Sequence, residues 1–338
     1  MFFLVLTFIL CTAVIVVSAT GLSRYADLLA EMTGIGKVWI GMTAVAVATS
    51  LPELSAGISA VAYAGSPNIA LGDALGSCVF NLAIIALIDF MHTDGPLHVK
   101  LGPGNLLAAC FGIVLVGVVS FGLVIQPLSR LSVSHLGITT PLIIVVYVIA
   151  SRMSFEFERR ELAKYMKEEA GKVAFAGMSV RRAAAMLLFC AFGVAVSGTL
   201  LPKAGIGLAD AMGVGHGFFG SVFLAVSTSL PELVVAVSAV RMGSFDIAVG
   251  NVFGSNMFNC VVIAVDDIAY ARGPILAEAA SGQLITACIA LVMTAVSLVG
   301  LLYKSKKKSP ARVGWDSVVL IALYALNVVT SYKFSGGE

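Results

Sequence analysis

The sequence predicts an all-α integral membrane fold of ten transmembrane helices, arranged as two inverted five-helix repeats. Two observations support this prediction: the chain is too apolar for a water-facing surface, and one block of sequence occurs twice. Of its 338 residues, 59% are hydrophobic and 12% are charged, against roughly 25% charged residues in soluble domains. Its mean hydropathy is +1.00. Most of the surface is therefore expected to face lipid.

Runs of about 20 apolar residues are long enough to cross a bilayer as helices. The first run, from Met1 to Ala19, lacks the basic residue that precedes the apolar core of a secretory signal, so we interpret it as a retained span. The ten predicted spans are 2–20, 36–64, 69–90, 104–125, 136–151, 183–202, 216–241, 245–266, 283–303 and 313–332.

One long polar connection divides the spans into two groups of five. Residues 152–182 mix Arg, Lys and Glu, a composition that suits a solvated or interfacial linker. We therefore expect a first repeat at 1–151, this linker, and a second, inverted repeat at 183–338. Each repeat is expected to hold a cation-binding helical hairpin, at about 36–90 and 216–266.

The distribution of positive charge predicts the orientation of the chain. With the N-terminus outside, the inner loops carry 17 of the 21 Lys and Arg residues, and eight of these lie in the central linker. Because positively charged loops stay on the cytoplasmic side, both termini are predicted outside and the linker in the cytoplasm. We expect an integral protein of the cell (inner) membrane, whose basic run from Lys304 to Lys308 contacts anionic lipid.

A duplicated block of sequence identifies the internal repeat. Residues 49–54, Thr-Ser-Leu-Pro-Glu-Leu, recur as residues 228–233 at a shift of 179, and residues 72–81 match 250–259 in part at a shift of 178. With five spans in each half, the second copy must enter the membrane upside down. Transporters built on inverted repeats hold their sites near the midplane, so the two hairpins are expected to meet at one central site.

Two glutamates carry the strongest functional signal. Glu53 and Glu232 occupy equivalent positions, and burying an ionisable side chain in mid-membrane costs at least ~2.5 kcal/mol. Pro52 and Pro231 cannot donate a backbone hydrogen bond, so each is expected to kink its helix and to free a carbonyl group. A dehydrated cation is one partner that such a carbonyl can bind.

Further oxygen atoms share helix faces with these glutamates. Residues three or four positions apart lie on one face, which places Ala46 and Thr49 beside Glu53. The other predicted oxygen donors are Ala225 and Thr228 beside the second glutamate, and Ser77, Asn81, Ser255 and Asn259 on the following helices. An oxygen-only shell suits hard cations such as calcium. No His or Cys lies on these faces, which argues against zinc or copper.

These motifs resemble those of the calcium/cation antiporter superfamily, specifically its prokaryotic sodium/calcium exchanger branch, over nearly the whole chain. The resemblance implies alternating access, with calcium and sodium competing for Glu53 and Glu232. It also implies that the first and sixth spans slide against the rest. The implied ligands are the carbonyls of Thr49 and Thr228 for calcium, and Ser50, Ser229, Ser77, Ser255 and the carbonyls of Ala46 and Ala225 for flanking sodium ions.

The chain departs from the family pattern at several positions. Asn259 stands where the second repeat often has Asp, which leaves two formal charges at the centre. The segment Gly-Asp-Ala-Leu-Gly-Ser-Cys, usually Gly-Asn-Ala-Leu-Gly-Ser-Asn, introduces Asp73. We expect Asp73 to add a carboxylate to an outer vestibule; the alternative is a helix-start carboxylate that faces water. Asp89 and Asp267, which match at the same shift, are interpreted as helix-end charges.

Other functions fit the sequence less well. Proton coupling is disfavoured because Gly250 and Asn251 are not followed by the Glu of a Gly-Asn-x-x-Glu word, whereas potassium coupling stays open. An intramembrane aspartyl protease would need Gly in place of Ala70 and a Tyr-Asp pair, so we expect no enzyme and no cofactor. The expected partners are calcium, sodium and membrane lipid, without nucleic acid, for a chain that functions as a monomer.

Overall fold

The computed structural model describes residues 2–92, 97–129, 132–133, 135–168, 178–211, 225–303 and 314–335, and within them the fold is almost entirely helical. The helices are α1 (Phe2–Thr33), α2 (Lys37–Thr49), α3 (Leu51–Ala62), α4 (Pro67–Met91), α5 (Gly104–Ser129), α6 (Thr139–Glu168), α7 (Val180–Ala211), α8 (Leu230–Arg241), α9 (Phe245–Ala269), α10 (Ser281–Tyr303) and α11 (Trp315–Ser335). A helical turn at 225–228 precedes α8. Two 3₁₀ turns, Leu97–Lys100 and Ile275–Glu278, and a pair of antiparallel strands, β1 (Ser132–Val133) and β2 (Leu136–Gly137), lie between helices.

Eight of the described helices are long and apolar enough to cross a membrane, and α2 with α3 forms a ninth candidate as one bent span. These nine match nine of the ten expected spans. The remaining one, 216–241, begins outside the described residues, which cover it from residue 225 onward. Nine of the expected spans thus have a helix of suitable length and apolarity among the described residues, and the count of ten stays a prediction.

Several helices extend beyond their expected ends, α1 and α6 the furthest. α1 continues to Thr33 because its second part is amphipathic, with Ser23 and Ala26 among the residues that it buries. It ends at Gly34, whose φ of 67° is a left-handed conformation that favours glycine. α6 likewise continues past residue 151 to Glu168, so the first part of the expected linker is helical.

The proline motifs break their helices as predicted. α2 and α3 meet at Ser50 with a bend of 43°, and Ser50 has φ −91° and ψ 10°. Ser229 has almost the same backbone conformation, φ −87° and ψ 8°, before α8. Pro52 and Pro231 stand in the first turn of the helix that follows, where a missing N–H is tolerated. Each motif therefore places its glutamate at the start of a new helix.

Helices α4 and α9 form the centre of the molecule, and α1 and α7 lie at its edge. α9 is buried along most of its length and contacts α2, α3, α4, α5, α6 and α8. It packs closely on α2, since a Cβ atom added at Gly250 would come within 2.8 Å of the carbonyl oxygen of Val38. α1 and α7 pack along each other and expose large apolar side chains such as Val17 and Phe189.

Asp89, near the end of α4, joins the first half of the chain to the last helix. Its carboxylate accepts hydrogen bonds from the backbone N–H groups of Leu97 (2.9 Å) and Gly314 (2.8 Å) and from the hydroxyl of Ser317 (2.9 Å). Two of these donors belong to the start of α11, and Asp89 is buried. The residue interpreted as a helix-end charge is therefore a buried joint between distant segments.

Asp267, near the end of α9, makes the corresponding joint in the opposite direction along the chain. It accepts hydrogen bonds from the backbone N–H groups of Ile275 (2.7 Å) and Gly137 (2.8 Å) and from the hydroxyl of Thr140. Gly137 ends β2 and Thr140 lies in the first turn of α6. Each aspartate thus binds the fifth helix of the other half, so the joints hold the two halves together at opposite ends of the central helices.

Candidate functional site

The two glutamates of the repeated motif lie at the centre of the molecule, and each is held by a serine of the other motif. Glu53 and Glu232 are both fully buried. The hydroxyl of Ser229 donates to Glu53 Oε1 at 3.0 Å, and the hydroxyl of Ser50 donates to Glu232 Oε1 at 3.0 Å. The structure therefore brings these four predicted site residues together in a reciprocal arrangement.

Hydroxyl groups of α4 and α9 extend the hydrogen-bond network around the two glutamates. Ser229 Oγ lies 2.9 Å from Ser77 Oγ of α4. On the other side, Ser255 of α9 donates to Glu232 Oε1 at 3.3 Å, and its hydroxyl lies 3.4 Å from that of Thr49. The predicted hydroxyl residues of both halves thus form one connected, buried network.

The threonine hydroxyls reveal a break in the symmetry of this network. Thr228 Oγ1 donates to Asp73 Oδ1 at 3.0 Å, whereas the corresponding Thr49 Oγ1 donates to the side-chain oxygen of Asn251 at 3.3 Å. One flank of the site therefore ends in a carboxylate and the other in an amide. Asp73 is 4% exposed, so the alternative of a water-facing helix-start carboxylate is wrong: its helix buries it against the motif of the other half.

The carbonyls of Ala46 and Ala225 are already engaged. Each accepts the backbone N–H of the serine that follows, at 3.0 Å and 3.1 Å, and lies within hydrogen-bond distance of its threonine hydroxyl, at 3.2 Å and 3.1 Å. The single proton of that hydroxyl is shared with Asn251 or Asp73. A carbonyl oxygen has two lone pairs. The backbone N–H uses one of them, and the second can bind sodium when the threonine hydroxyl donates to Asn251 or Asp73.

Several buried polar atoms of the site have no hydrogen-bond partner among the described residues. They are Glu53 Oε2, Glu232 Oε2, Asp73 Oδ2, Asn81 Oδ1 and both amide atoms of Asn259. Buried polar groups are nearly always partnered, and five of these atoms are oxygens, the ligand type of a hard cation such as calcium, which takes 6–8 of them. Within the described part of the chain no three His, Cys, Asp or Glu side chains cluster as metal ligands, so hydroxyl, amide or carbonyl oxygens would have to contribute.

Sequence reasoning missed one further acidic residue near the site. Asp266 of α9 is fully buried, and neither of its carboxylate oxygens has a hydrogen-bond partner in the described part. It lies against Gly57 of α3. The corresponding residue of the first half is Ile88, so a search for matching pairs passed over it. An ionisable residue inside an apolar span was the signal that could have found it.

Comparison with known proteins agrees with this architecture. The family described as sodium/calcium exchanger protein matches residues 3–149 and 182–333. The inner membrane protein YrbG of Escherichia coli (strain K12) is 28% identical over 270 residues, which cover 76% of this chain and 80% of that protein. The sodium/calcium exchanger MaX1 of Methanosarcina acetivorans is 26% identical over 341 residues, covering 91% and 93%.

Solved structures agree at the level of the fold. The sodium-calcium exchanger NCX_Mj, soaked with 2.5 mM Na⁺ and 0.1 mM Ca²⁺, superposes with a TM-score of 0.72 over 97% of this chain and 98% of that chain, at 20% identity. The motifs, the buried paired glutamates and the family match lead to one conclusion. The chain belongs to the sodium/calcium exchanger protein family, in the prokaryotic branch of the calcium/cation antiporter superfamily.

Proposed function

We propose that this membrane protein is a secondary antiporter that exchanges calcium for sodium, with Glu53 and Glu232 as ligands shared by both ions. The observation that carries the proposal is the reciprocal holding of the two buried glutamates by Ser229 and Ser50. Each glutamate keeps one oxygen without a hydrogen-bond partner among the described residues. Two carboxylates at one buried position suit a divalent cation by charge.

Competition for the same ligands is sufficient to couple the two ions. We assign calcium to the glutamates and the carbonyls of Thr49 and Thr228, and sodium ions to positions on either side. Because a buried charge without a counter-charge is costly, an empty site with two ionised glutamates should change its access slowly. Sites loaded with calcium or with sodium are neutralised and should change access readily. Exchange follows without further coupling machinery.

The α1–α7 pair is suited to control access. Gly198 of α7 packs against Pro52, and Pro231 lies nearby on the same side, so α7 crosses both helix breaks. α1 contacts α8 through a hydrogen bond from the Ser23 hydroxyl to the carbonyl of Val235, at 3.2 Å. We propose that sliding of this pair over the two motifs opens the site first to one side of the membrane and then to the other.

The orientation and the assembly state are also part of the proposal. We place both termini outside, the linker at 152–182 in the cytoplasm, and the protein in the cell membrane as a functional monomer surrounded by lipid. The support is the 17 of 21 basic residues that fall on the inner side in this orientation. Labelling of single cysteines introduced at each terminus, in intact cells and in inverted vesicles, tests it.

Calcium uptake into proteoliposomes tests the exchange. Vesicles loaded with sodium and diluted into sodium-free buffer should accumulate calcium, and vesicles without the gradient should not. Glu53→Gln and Glu232→Gln should each reduce uptake about 100-fold or more, because each removes a charged ligand from a buried site. Glu156→Gln, at an exposed position paired with Arg152, is the matched control and should transport as the wild type does.

The same assay separates the competing couplings. Uptake driven equally well by a proton gradient in the absence of sodium would replace sodium with proton coupling, and a requirement for potassium would add potassium to the exchange. Undiminished uptake by the double variant Glu53→Gln, Glu232→Gln would remove the glutamates from the transport site altogether.

A further inference from the structure

Asp266 is a buried carboxylate that the proposed exchange mechanism does not use. It is 0% exposed, and neither of its oxygens hydrogen-bonds within the described residues. Its neighbour Asp267, by contrast, accepts three hydrogen bonds. Burying a carboxylate without hydrogen bonds or a counter-charge is costly, so a buried residue of this kind indicates a ligand.

The position of Asp266 relates it directly to the glutamates. Its carboxyl group lies against Gly57, where an added Cβ atom would come within 2.6 Å of Asp266 Oδ1. Gly57 follows Glu53 by four residues and therefore lies one turn along the same face of α3. The Asp266 carboxylate thus lies about one turn of α3 beyond Glu53, toward the end of that helix.

Asp73 lies at the same level of the α3–α4 hairpin as Gly57. Gly57 stands five residues before the end of α3 and Asp73 six residues after the start of α4, and a four-residue turn joins the two helices. Asp73 Oδ1 is held by the Thr228 hydroxyl, while Oδ2 has no hydrogen-bond partner among the described residues. Asp73 and Asp266 therefore lie on the same side of the central glutamates, toward the ends of α3 and α9, which the charge distribution predicts to be outside.

The other flank of the site has none of these features. The residues that correspond to Asp266, Gly57 and Asp73 are Ile88, Ala236 and Asn251, and all three are buried. The fold thus closes one flank with aliphatic and neutral side chains. The acidic flank is not required by the architecture.

We propose that Asp73 and Asp266 form a second cation-binding position next to the central glutamates, and that it takes calcium. The position offers three buried carboxylate oxygens without hydrogen-bond partners among the described residues, and Gly57 leaves room for the Asp266 carboxyl group. Oxygen ligands and two formal charges are what calcium prefers. Asp73 borders the proposed exchange site through its hydrogen bond from Thr228, but the inference concerns equilibrium binding and does not depend on the coupling ion.

Titration of the purified full-length chain with calcium chloride in sodium-free buffer, followed by isothermal calorimetry and by equilibrium dialysis, tests this position. The wild type should bind two calcium ions per chain. Asp266→Asn should bind one. Gly57→Ala, which keeps both carboxylates but adds a methyl group where the Asp266 carboxyl lies, should weaken one of the two binding events about tenfold, because calcium affinity follows the charge and arrangement of its ligands.

Ala236→Gly is the matched control, since it makes the reverse exchange at the corresponding position of the other flank, and it should bind calcium as the wild type does. Thermal unfolding checks that each variant is folded. If Asp266→Asn does not fold, the calcium titration of Gly57→Ala tests the inference. A single calcium ion in the wild type, or unchanged binding in Gly57→Ala, overturns the inference. If the double variant Glu53→Gln, Glu232→Gln still binds one calcium ion, the inference is supported even where sodium-driven uptake fails.

Discussion

The hairpins of the two halves hold their glutamates with equivalent hydrogen bonds, but the residues around the glutamates differ between the halves. Ser50 and Ser229 have nearly the same backbone conformation, and each donates to the glutamate of the other hairpin at 3.0 Å. Asp89 and Asp267 each bind the start of a helix that belongs to the other half. These contacts come in pairs, and they position the centre of the site.

The residues that do not come in pairs lie around that centre. Asp73 corresponds to Asn251, Cys78 to Asn256, and Asp266 to Ile88. All of these lie on α4 or α9, the two helices that follow the motifs. The paired contacts therefore define the fold and the central site, whereas the unpaired residues give the two flanks different charge and different hydrogen bonding.

The largest effect is expected at the joints between the halves. Asp89→Ala and Asp267→Ala each leave two backbone N–H groups and one hydroxyl buried without an acceptor. Because unsatisfied buried groups cost about 1–3 kcal/mol each, either variant should lose about 3–5 kcal/mol of stability. Thermal unfolding in detergent micelles measures the loss.

The two joint variants test the comparison as well as the joints. If the contacts are equivalent, the two losses should agree within about 1 kcal/mol. Glu156→Ala, an exposed surface change, should have almost no effect. If Asp267→Ala loses much less stability than Asp89→Ala, the two joints are not energetically equivalent.

A smaller effect is expected from moving the charge between the flanks. Asp73→Asn keeps an oxygen for the Thr228 hydroxyl but removes one negative charge beside the glutamates, so calcium should activate uptake with about tenfold lower affinity. Asn251→Asp in the same chain returns a carboxylate on the opposite flank and should recover part of that affinity. The calcium dependence of sodium-driven uptake measures both.

The outcome also separates charge from position. Full recovery in the double variant Asp73→Asn, Asn251→Asp would mean that only the total charge near the glutamates matters. No loss in Asp73→Asn would remove this residue from the calcium-binding region, and the second cation position with it.

Local rules were enough to predict much of the fold and the centre of the site. Apolar runs identified the spans, and proline predicted the breaks before Glu53 and Glu232. The repeated sequence motif predicted that both glutamates belong to one site. The extension of α1 to Thr33 was missed because residues 21–33 are amphipathic rather than uniformly apolar. Apolarity alone does not detect the end of such a helix; Gly34 does.

Contacts between distant segments could not be predicted in the same way. Nothing in the sequence states that Asp89 binds residues near position 314, since that depends on how α11 packs against α4. Asp266 was missed for the opposite reason: the search for repeats found residues that match, and the residue matching Asp266 is Ile88. Functional residues that break a repeat are hidden from a method that depends on it.

The smallest effect is expected from substituting Cys78. Whether the substitution stabilises or destabilises the protein is informative. In the structure, Asn81 donates to the side-chain oxygen of Asn256 at 3.2 Å. The corresponding residue, Asn259, would find such an oxygen at position 78, but a cysteine stands there, and both amide atoms of Asn259 lack a partner among the described residues. Cys78→Asn should supply that oxygen and stabilise the protein by about 1 kcal/mol.

Cys78→Ala is the matched control, because it removes the thiol without adding an acceptor and leaves a small cavity that should cost about 1 kcal/mol. Thermal unfolding of the two variants, measured side by side, compares them. If Cys78→Asn is destabilised as much as Cys78→Ala, position 78 does not face Asn259 as Asn256 faces Asn81, and the pairing of the two halves ends before the asparagines. If it is stabilised, the cysteine is what leaves the Asn259 amide without a partner among the described residues, and the difference between the two halves extends to the asparagines of α4 and α9.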